Sequence, residues 1–257
     1  MHIIQSPAGP TISYETYGAG PALLLVHGSF SDQATNWELV KNLLAPHYTV
    51  YAVARRGRGK TDATEGHRIE DEFADVAVVI DSIDEPVFLL GHSYGAHVAL
   101  GAALMRADRI RKLVVYEPPN PTIFHQDVLR RMEELASVND WDQFAEVFFR
   151  DMLRVPPEVL NEMRAPQTWT PIIEDARASL GDVRAVMRYS FDANRFSALK
   201  MPVLIQVGSE SPRDLYVTDA LAAVLPDARI EELPGQAHEG MTTGPELYAE
   251  SVLRFLV

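Results

Sequence analysis

Gly91-His92-Ser93-Tyr94-Gly95 sets a serine between two glycines, directly after the apolar run Pro86 to Leu90 and directly before the helix-like stretch Ala96 to Met105. A serine at a tight strand-to-helix turn is held in strained geometry. The glycines let neighbouring backbone crowd in, and the helix N-terminus favours negative charge developing on a substrate. At the glycine content of this chain the pattern arises by chance roughly 0.04 times, and its context lowers that figure further. Ser93 is therefore read as a nucleophile rather than as a serine that caps its helix. A serine hydroxyl is a poor nucleophile until a base takes its proton, so one of the eight histidines must lie beside it.

The elements that would position these groups can be traced along the chain. His2 to Gln5 and Thr11 to Thr16, joined by the turn-forming Ser6-Pro7-Ala8-Gly9-Pro10, read as an antiparallel hairpin. Short apolar runs follow at Ala22 to Val26, Thr49 to Ala54, Pro86 to Leu90, Lys112 to Tyr116, Val203 to Val207 and Ala228 to Leu233. Such runs suit strands buried on both faces of a parallel sheet. Helical stretches lie between them. In Ile69 to Ile83 the apolar Phe73, Val76, Ile80 and Ile83 recur at steps of three and four behind an acidic first turn, and Pro245 to Val257 has the same character. Strand and helix alternate, which with right-handed crossovers predicts an α/β fold: an open, mostly parallel sheet with helices on both faces.

The alternation stops between Pro118 and about Phe191, where Met132, Trp141, Phe144, Phe148, Phe149, Met152, Met163 and Met187 recur at helical period without a strand pattern. Residues 118–191 are expected to form a helical cap inserted into a core domain of residues 1–117 and 192–257. The cap's aromatics and methionines suit an apolar substrate, but the insertion needs such residues for its own core, and that reading is preferred.

The sequence resembles the α/β-hydrolase fold family over nearly its whole length. The resemblance rests on the initial hairpin, the Leu25-Val26-His27-Gly28 turn, Arg56-Gly57-Arg58-Gly59, the Gly91 to Gly95 elbow and Leu233-Pro234-Gly235-Gln236-Ala237-His238. It implies an eight-stranded sheet with the cap following the sixth strand, and a cofactor-independent serine esterase or lactonase. It further implies that two backbone N–H groups hold the oxyanion, those of Ser29 and Tyr94, with Phe30 an alternative to Ser29. The family's chain order of nucleophile, acid and histidine makes His238 the base. Its acid usually stands three residues beyond the glycine that ends the strand after the cap, and here that count from Gly208 lands on Ser211, which cannot hold an imidazolium. Some members, including certain lactonases, place the acid at the end of the strand before the cap, where this chain has Glu117. Glu117 is the preferred acid, ahead of Glu210 and then Asp214. Of the other histidines, His27 and His92 are expected to support their loops, and His2, His47, His67 and His97 to do no chemistry. His125 opens the cap, exposed.

Composition closes off other functions. The chain carries 23 Lys plus Arg against 36 Asp plus Glu, a formal charge of −13. That sign disfavours nucleic acid and anionic lipid surfaces; the resemblance implies a small-molecule ester or lactone substrate instead. With no cysteine, disulfides, thiolate metal sites and cysteine nucleophiles are removed together. No metal site and no cofactor are expected, since zinc-protease spacings and a glycine-rich dinucleotide fingerprint are both missing. Ala54-Arg55-Arg56-Gly57-Arg58-Gly59-Lys60-Thr61 comes near a phosphate loop, but the turn-like, acidic residues after Thr61 do not continue as its helix. That cluster is read as a solvated loop with one buried structural arginine. Neither a secretory signal nor an apolar run of about 20 residues is present, so a cytoplasmic protein is expected. The remaining alternatives to hydrolysis are acyl transfer to an alcohol, amine or peroxide by the same triad, and a non-catalytic ligand-binding protein on the same scaffold.

Overall fold

The computed structural model describes residues 1–6 and 9–257; Pro7 and Ala8 of the expected first turn lie outside them. Eight strands form one sheet in the order β1-β2-β4-β3-β5-β6-β7-β8. They are β1 His2–Gln5, β2 Thr11–Tyr17, β3 Ala22–Val26, β4 Thr49–Ala54, β5 Val87–His92, β6 Ile110–Tyr116, β7 Val203–Gly208 and β8 Ala228–Leu233. β1 and β2 pair antiparallel, and β2 joins β4 antiparallel; from β4 to β8 every pairing is parallel.

Among the described residues ten α-helices accompany the sheet: α1 Lys41–Leu44, α2 Ile69–Asp81, α3 Tyr94–Met105, α4 Gln126–Ser137, α5 Trp141–Val147, α6 Pro157–Met163, α7 Pro166–Arg188, α8 Thr218–Ala222, α9 Gly240–Thr243 and α10 Pro245–Leu256. Residues of α2 and α3 fill the core on one face of the sheet, while Trp37, Leu44 and residues of α10 fill it on the other. β3, β5 and β7 are therefore buried along their whole length, as their continuous apolar runs predict. β8 departs from that expectation. It is an edge strand in which only Leu233 is fully buried, because Ala-Arg-Ile-Glu-Glu-Leu carries charges that an edge can leave in water.

Between β6 and β7 the chain contributes helices α4 to α7 and a π-helical turn, Phe148–Met152, but no strand. Met132, Phe144, Phe149, Met152, Trp169 and Ile172 from this segment bury one another around Phe30 of the β3 loop. Phe30 meets the rings of Phe144, Phe148 and Phe149 at centroid distances of 5.8, 4.5 and 5.3 Å. Most of the segment's aromatics and methionines are thus spent on packing.

β3 lies between β4 and β5, so successive strands are laid down in opposite directions from it. In open α/β sheets the crevice at such a switch point, outside the carboxyl ends of the strands, is where ligands bind. The loops leaving β3 and β5 carry Gly28 and Ser93.

Candidate active site

β5 ends at His92 and α3 begins at Tyr94, which leaves Ser93 alone in the turn. Its backbone has φ 55° and ψ −124°, a conformation that costs a non-glycine residue roughly 1–3 kcal/mol. The turn is over-determined on both sides: Ser93 N–H donates to Tyr116 O at 2.8 Å, and Ala96 N–H to Ser93 O at 2.9 Å. The flanking glycines are required by close approach. A Cβ on Gly91 would stand 2.4 Å from Gly95 O, and one on Gly95 would stand 2.2 Å from His27 O.

His238 lies in the loop between β8 and α9, and its Nε2 is 2.9 Å from Ser93 Oγ. Its Nδ1 is 2.7 Å from Glu117 Oε2. Glu117 follows β6 directly and is fully buried. Its other oxygen accepts the Gly208 N–H at 2.7 Å, and its own N–H donates to Gln206 O at 3.2 Å, so β7 fixes it from two sides. Burial opposes a charged ring at His238, but the hydrogen bond and charge of Glu117 outweigh it and hold the imidazole pKa above its ordinary 6.5. Tyr216 stacks on the same ring, 5.3 Å between centroids and 13° between planes. Glu210 and Asp214 stand elsewhere. Both are exposed, Glu210 accepting from Ser209 Oγ at 2.9 Å and Asp214 pairing with Arg154 at 2.7 Å.

The loop after β3 passes close to the serine, since a Cβ on Gly28 would be 3.1 Å from Ser93 Cβ. Among the described residues the N–H groups of Ser29 and Tyr94 donate to no protein acceptor. That of Tyr94 is the first of α3 and has no carbonyl within the helix to meet. The Phe30 N–H is already spent on Ser179 Oγ at 2.7 Å, which separates it from Ser29.

The other histidines serve the loops. His27 donates from Nδ1 to Gly28 O at 2.8 Å and accepts the Arg55 N–H at Nε2, 3.2 Å away. His92 lies between Asn36 and the His238 carbonyl, at 3.1 and 3.0 Å. Burial first, then a neighbouring charge (Arg55 for His27, His238 for His92), keeps both well below the usual histidine range. His97 donates to Pro119 O at 2.6 Å beneath Tyr189 and Phe191. His125 is exposed just before α4.

The arginine cluster departs from its expected form. Arg55, Arg56 and Arg58 are all buried, and only Lys60 is exposed. The reason lies in partners from distant elements. Arg55 pairs with Glu72 of α2 at 3.1 Å and with Asp182 of α7 at 2.7 Å; Arg58 pairs with Asp175 and Asp182 of α7, each at 2.8 Å; Arg56 pairs with Asp75 at 2.6 Å. A buried arginine is tolerated when its charge and all its donors are met. No helix starts at Lys60-Thr61, the next beginning at Ile69, so the phosphate-loop context is missing here too. Asp182 and Glu72 were not singled out from the sequence. The signal was present in α7, where Ser179 and Asp182 sit as polar residues on the buried face shared with Ala176, Val183 and Val186. His67, Glu72 and Asp182 lie within reach of a common ion, but both carboxylates already bind Arg55.

Among the described residues no helix is long and apolar enough to cross a membrane. Comparison with known proteins agrees with the architecture. A profile described as the alpha/beta hydrolase family matches residues 23–251. An uncharacterized hydrolase of Bacillus subtilis is 27% identical over 255 residues, covering 94% of this chain and 91% of that one. The crystal structure of an alpha/beta hydrolase from Sphaerobacter thermophilus superposes with a TM-score of 0.86 at 29% identity over the full length of both chains. That of an enol-lactonase from Burkholderia xenovorans does so at 0.80 and 19% identity, covering 97% of each. The chain belongs to the alpha/beta hydrolase family.

Proposed function

We propose that this protein is a serine hydrolase that cleaves a carboxylic ester or lactone through an acyl-enzyme. The single observation that carries the reading is the continuous hydrogen-bonded chain Ser93 Oγ, His238 Nε2, His238 Nδ1, Glu117 Oε2, at 2.9 and 2.7 Å. Ser93 Oγ attacks the carbonyl carbon while His238 Nε2 takes its proton, and Glu117 holds the ring orientation and stabilises the imidazolium. The carbonyl oxygen becomes an oxyanion, held by the N–H groups of Ser29 and Tyr94, neither of which donates to a protein acceptor among the described residues. The C–O bond breaks, the leaving alkoxide takes the proton from His238, and the acyl group stays on Ser93. Water then repeats the sequence with His238 as base, releasing the acid and restoring the serine.

The core domain is assigned to residues 1–117 and 192–257 and the cap to 118–191. In this reading the half-buried Phe148, packed on Phe30 beside Ser29, gives the substrate an apolar neighbour. A serine at the elbow separates this chain from relatives that resemble epoxide hydrolases and haloalkane dehalogenases, which use aspartate there. The test is hydrolysis of p-nitrophenyl acetate and labelling by a fluorophosphonate, each with wild type and Ser93→Ala. Wild type should turn over and label. Equal turnover by the folded Ser93→Ala protein would end the proposal.

A further inference from the structure

The mechanism needs the Ser29 N–H aimed at the reacting oxygen, yet Ser29 sits in a loop. What orients it is charged and buried. In a trans peptide the carbonyl and the next residue's N–H point in opposite directions, so fixing Gly28 O fixes the direction of the Ser29 N–H. Gly28 O accepts from Arg55 Nη2 at 2.9 Å and from His27 Nδ1 at 2.8 Å, and Arg55 Nε also holds His27 O at 2.9 Å. The other end of Ser29 is tied as well: its Oγ donates to Asp182 Oδ2 at 2.8 Å. Arg55 and Asp182 are themselves joined by a two-pronged pair at 3.0 and 2.7 Å, and both are almost wholly buried. Ser179, one turn earlier on α7, takes the next N–H in the loop, that of Phe30.

We infer that Arg55 and Asp182 are positioning residues for the Ser29 amide, and that through Asp182 the helix α7 sets the geometry of the oxyanion site. This rests on the serine-hydrolase reading above. Among the described residues neither side chain hydrogen-bonds Ser93 or His238; they act through the Gly28–Ser29 peptide. Glu72 carries the same network to the second donor residue. It binds Arg55, and it accepts the Tyr94 hydroxyl at 2.8 Å while the Arg55 guanidinium lies 4.4 Å from the centre of the Tyr94 ring. A charge pair contributed by α7 and the β4 loop is thereby connected to both residues whose amides would face the oxyanion.

The experiment compares wild type, Asp182→Asn, Arg55→Lys and Ser29→Ala. It measures kcat and KM for p-nitrophenyl acetate, its pH profile, and the Kd of trifluoroacetophenone, whose adduct with a serine reproduces the tetrahedral oxyanion. Loss of one oxyanion donor lowers kcat by about 10²–10³-fold. Misaiming it through Asp182→Asn or Arg55→Lys should lower kcat by about 10–100-fold, with KM within about 3-fold of wild type. The ketone should weaken by the same factor as kcat/KM, and the acid limb of the pH profile should stay where it is. Ser29→Ala, which keeps the amide and loses only the tether, should lose about 3–10-fold in kcat. Folded Asp182→Asn protein with wild-type kcat and ketone affinity would overturn the inference, as would a change confined to KM. Should Asp182→Asn and Arg55→Lys not fold, Ser29→Ala decides by the same two readings. Wild-type protein that neither hydrolyses the ester nor binds the ketone overturns the serine-hydrolase reading and this inference with it; an active wild type with an unaffected folded Asp182→Asn overturns this inference alone.

Discussion

Glu117 Oε2 and His238 Nδ1 lie 2.7 Å apart across 121 residues of chain. The contact exists because β6 and β7 are neighbours: Glu117 is fixed at the end of β6 by two bonds to the backbone of β7, one from its N–H and one to its carboxylate, and the loop that follows β8 folds back over it. The carboxylate is fully buried, and each of its oxygens has a hydrogen-bond partner, Gly208 N–H on one and His238 Nδ1 on the other.

Glu117→Gln should therefore lower kcat by about 10²–10⁴-fold, since the amide keeps the volume but cannot stabilise an imidazolium and can select the wrong tautomer. Glu210→Gln, at an exposed carboxylate that binds Ser209, should leave kcat within about 2-fold of wild type, as surface substitutions do. Steady-state turnover of p-nitrophenyl acetate by the two variants checks the ranking. The reverse order would move the acid to β7.

The same contact sets the pH profile. His238 must be neutral to act as base, and its pKa is held above 6.5 by Glu117 against the opposing effect of burial. Activity should thus be full at alkaline pH and fall, with a slope of one proton, as pH drops through a midpoint above 6.5. In Glu117→Gln the residual activity should have its midpoint lower than in wild type, because the anion that favours the charged ring is gone. A wild-type midpoint below 6.5 in kcat/KM would contradict the assignment of His238 as base.

Stability should depend on pH in the opposite sense for two groups of histidines. His27, His92 and His97 are buried and held below 6.5, His97 at about 4 with burial as the cause. The unfolded chain binds protons that these residues refuse when folded. Their contribution is complete above about 6.5 and is lost as pH falls. For His97 alone the loss reaches about 3 kcal/mol by pH 4. His67 runs the other way: burial lowers its pKa, but Glu72 more than offsets this and raises it. It stabilises fully below 6.5, and that contribution disappears as pH rises through its folded pKa. His238, raised by Glu117, acts in the same sense as His67, so three histidines stand against two; with His27 and His92 held well below the usual range and His97 at about 4, the acid side is the weaker. Thermal melting at pH 5 and pH 7.5 should show a lower Tm at pH 5, and His97→Gln, which can still donate to Pro119 O, should narrow the difference. An equal or higher Tm at pH 5 would refute the balance.

Much of this was legible beforehand, and the rest fails for a physical reason. Fully buried strands such as Leu23 to Val26 declare themselves because both faces must be apolar, and the Ser93 turn does so because close backbone approach demands glycine at 91 and 95. His238 and Glu117 are reached through the resemblance, by its chain order of nucleophile, acid and histidine and by the acid position at the end of the strand before the cap. The charged network did not. Whether an arginine is solvated or buried depends on what reaches it, and one of the two carboxylate partners of Arg55 is Asp182, 127 residues away on a helix whose docking no local pattern fixes. β8 has the bounds its sequence predicts but is not buried on both faces: Arg229, Glu231 and Glu232 suit an edge, and which strand lies at the edge is set by the sheet order rather than by any local pattern.

The backbone at Ser93 offers a test of strain that is independent of turnover. At an ordinary position Ala is more favourable than Gly by about 0.5–1 kcal/mol, because glycine has more freedom to lose on folding. At φ 55° and ψ −124° a Cβ is disfavoured by roughly 1–3 kcal/mol, a penalty that Ala keeps and Gly escapes. Both substitutions remove the hydroxyl and its bond to His238, so that loss cancels between them. Ser93→Gly should then be more stable than Ser93→Ala by about 1 kcal/mol, or about 2–4 °C in Tm for a chain of this size, with both variants inactive. Parallel thermal melts decide it. An Ala variant as stable as the Gly variant, or more so, would mean that the turn holds its serine without strain, and that the hydroxyl is presented by the surrounding packing alone.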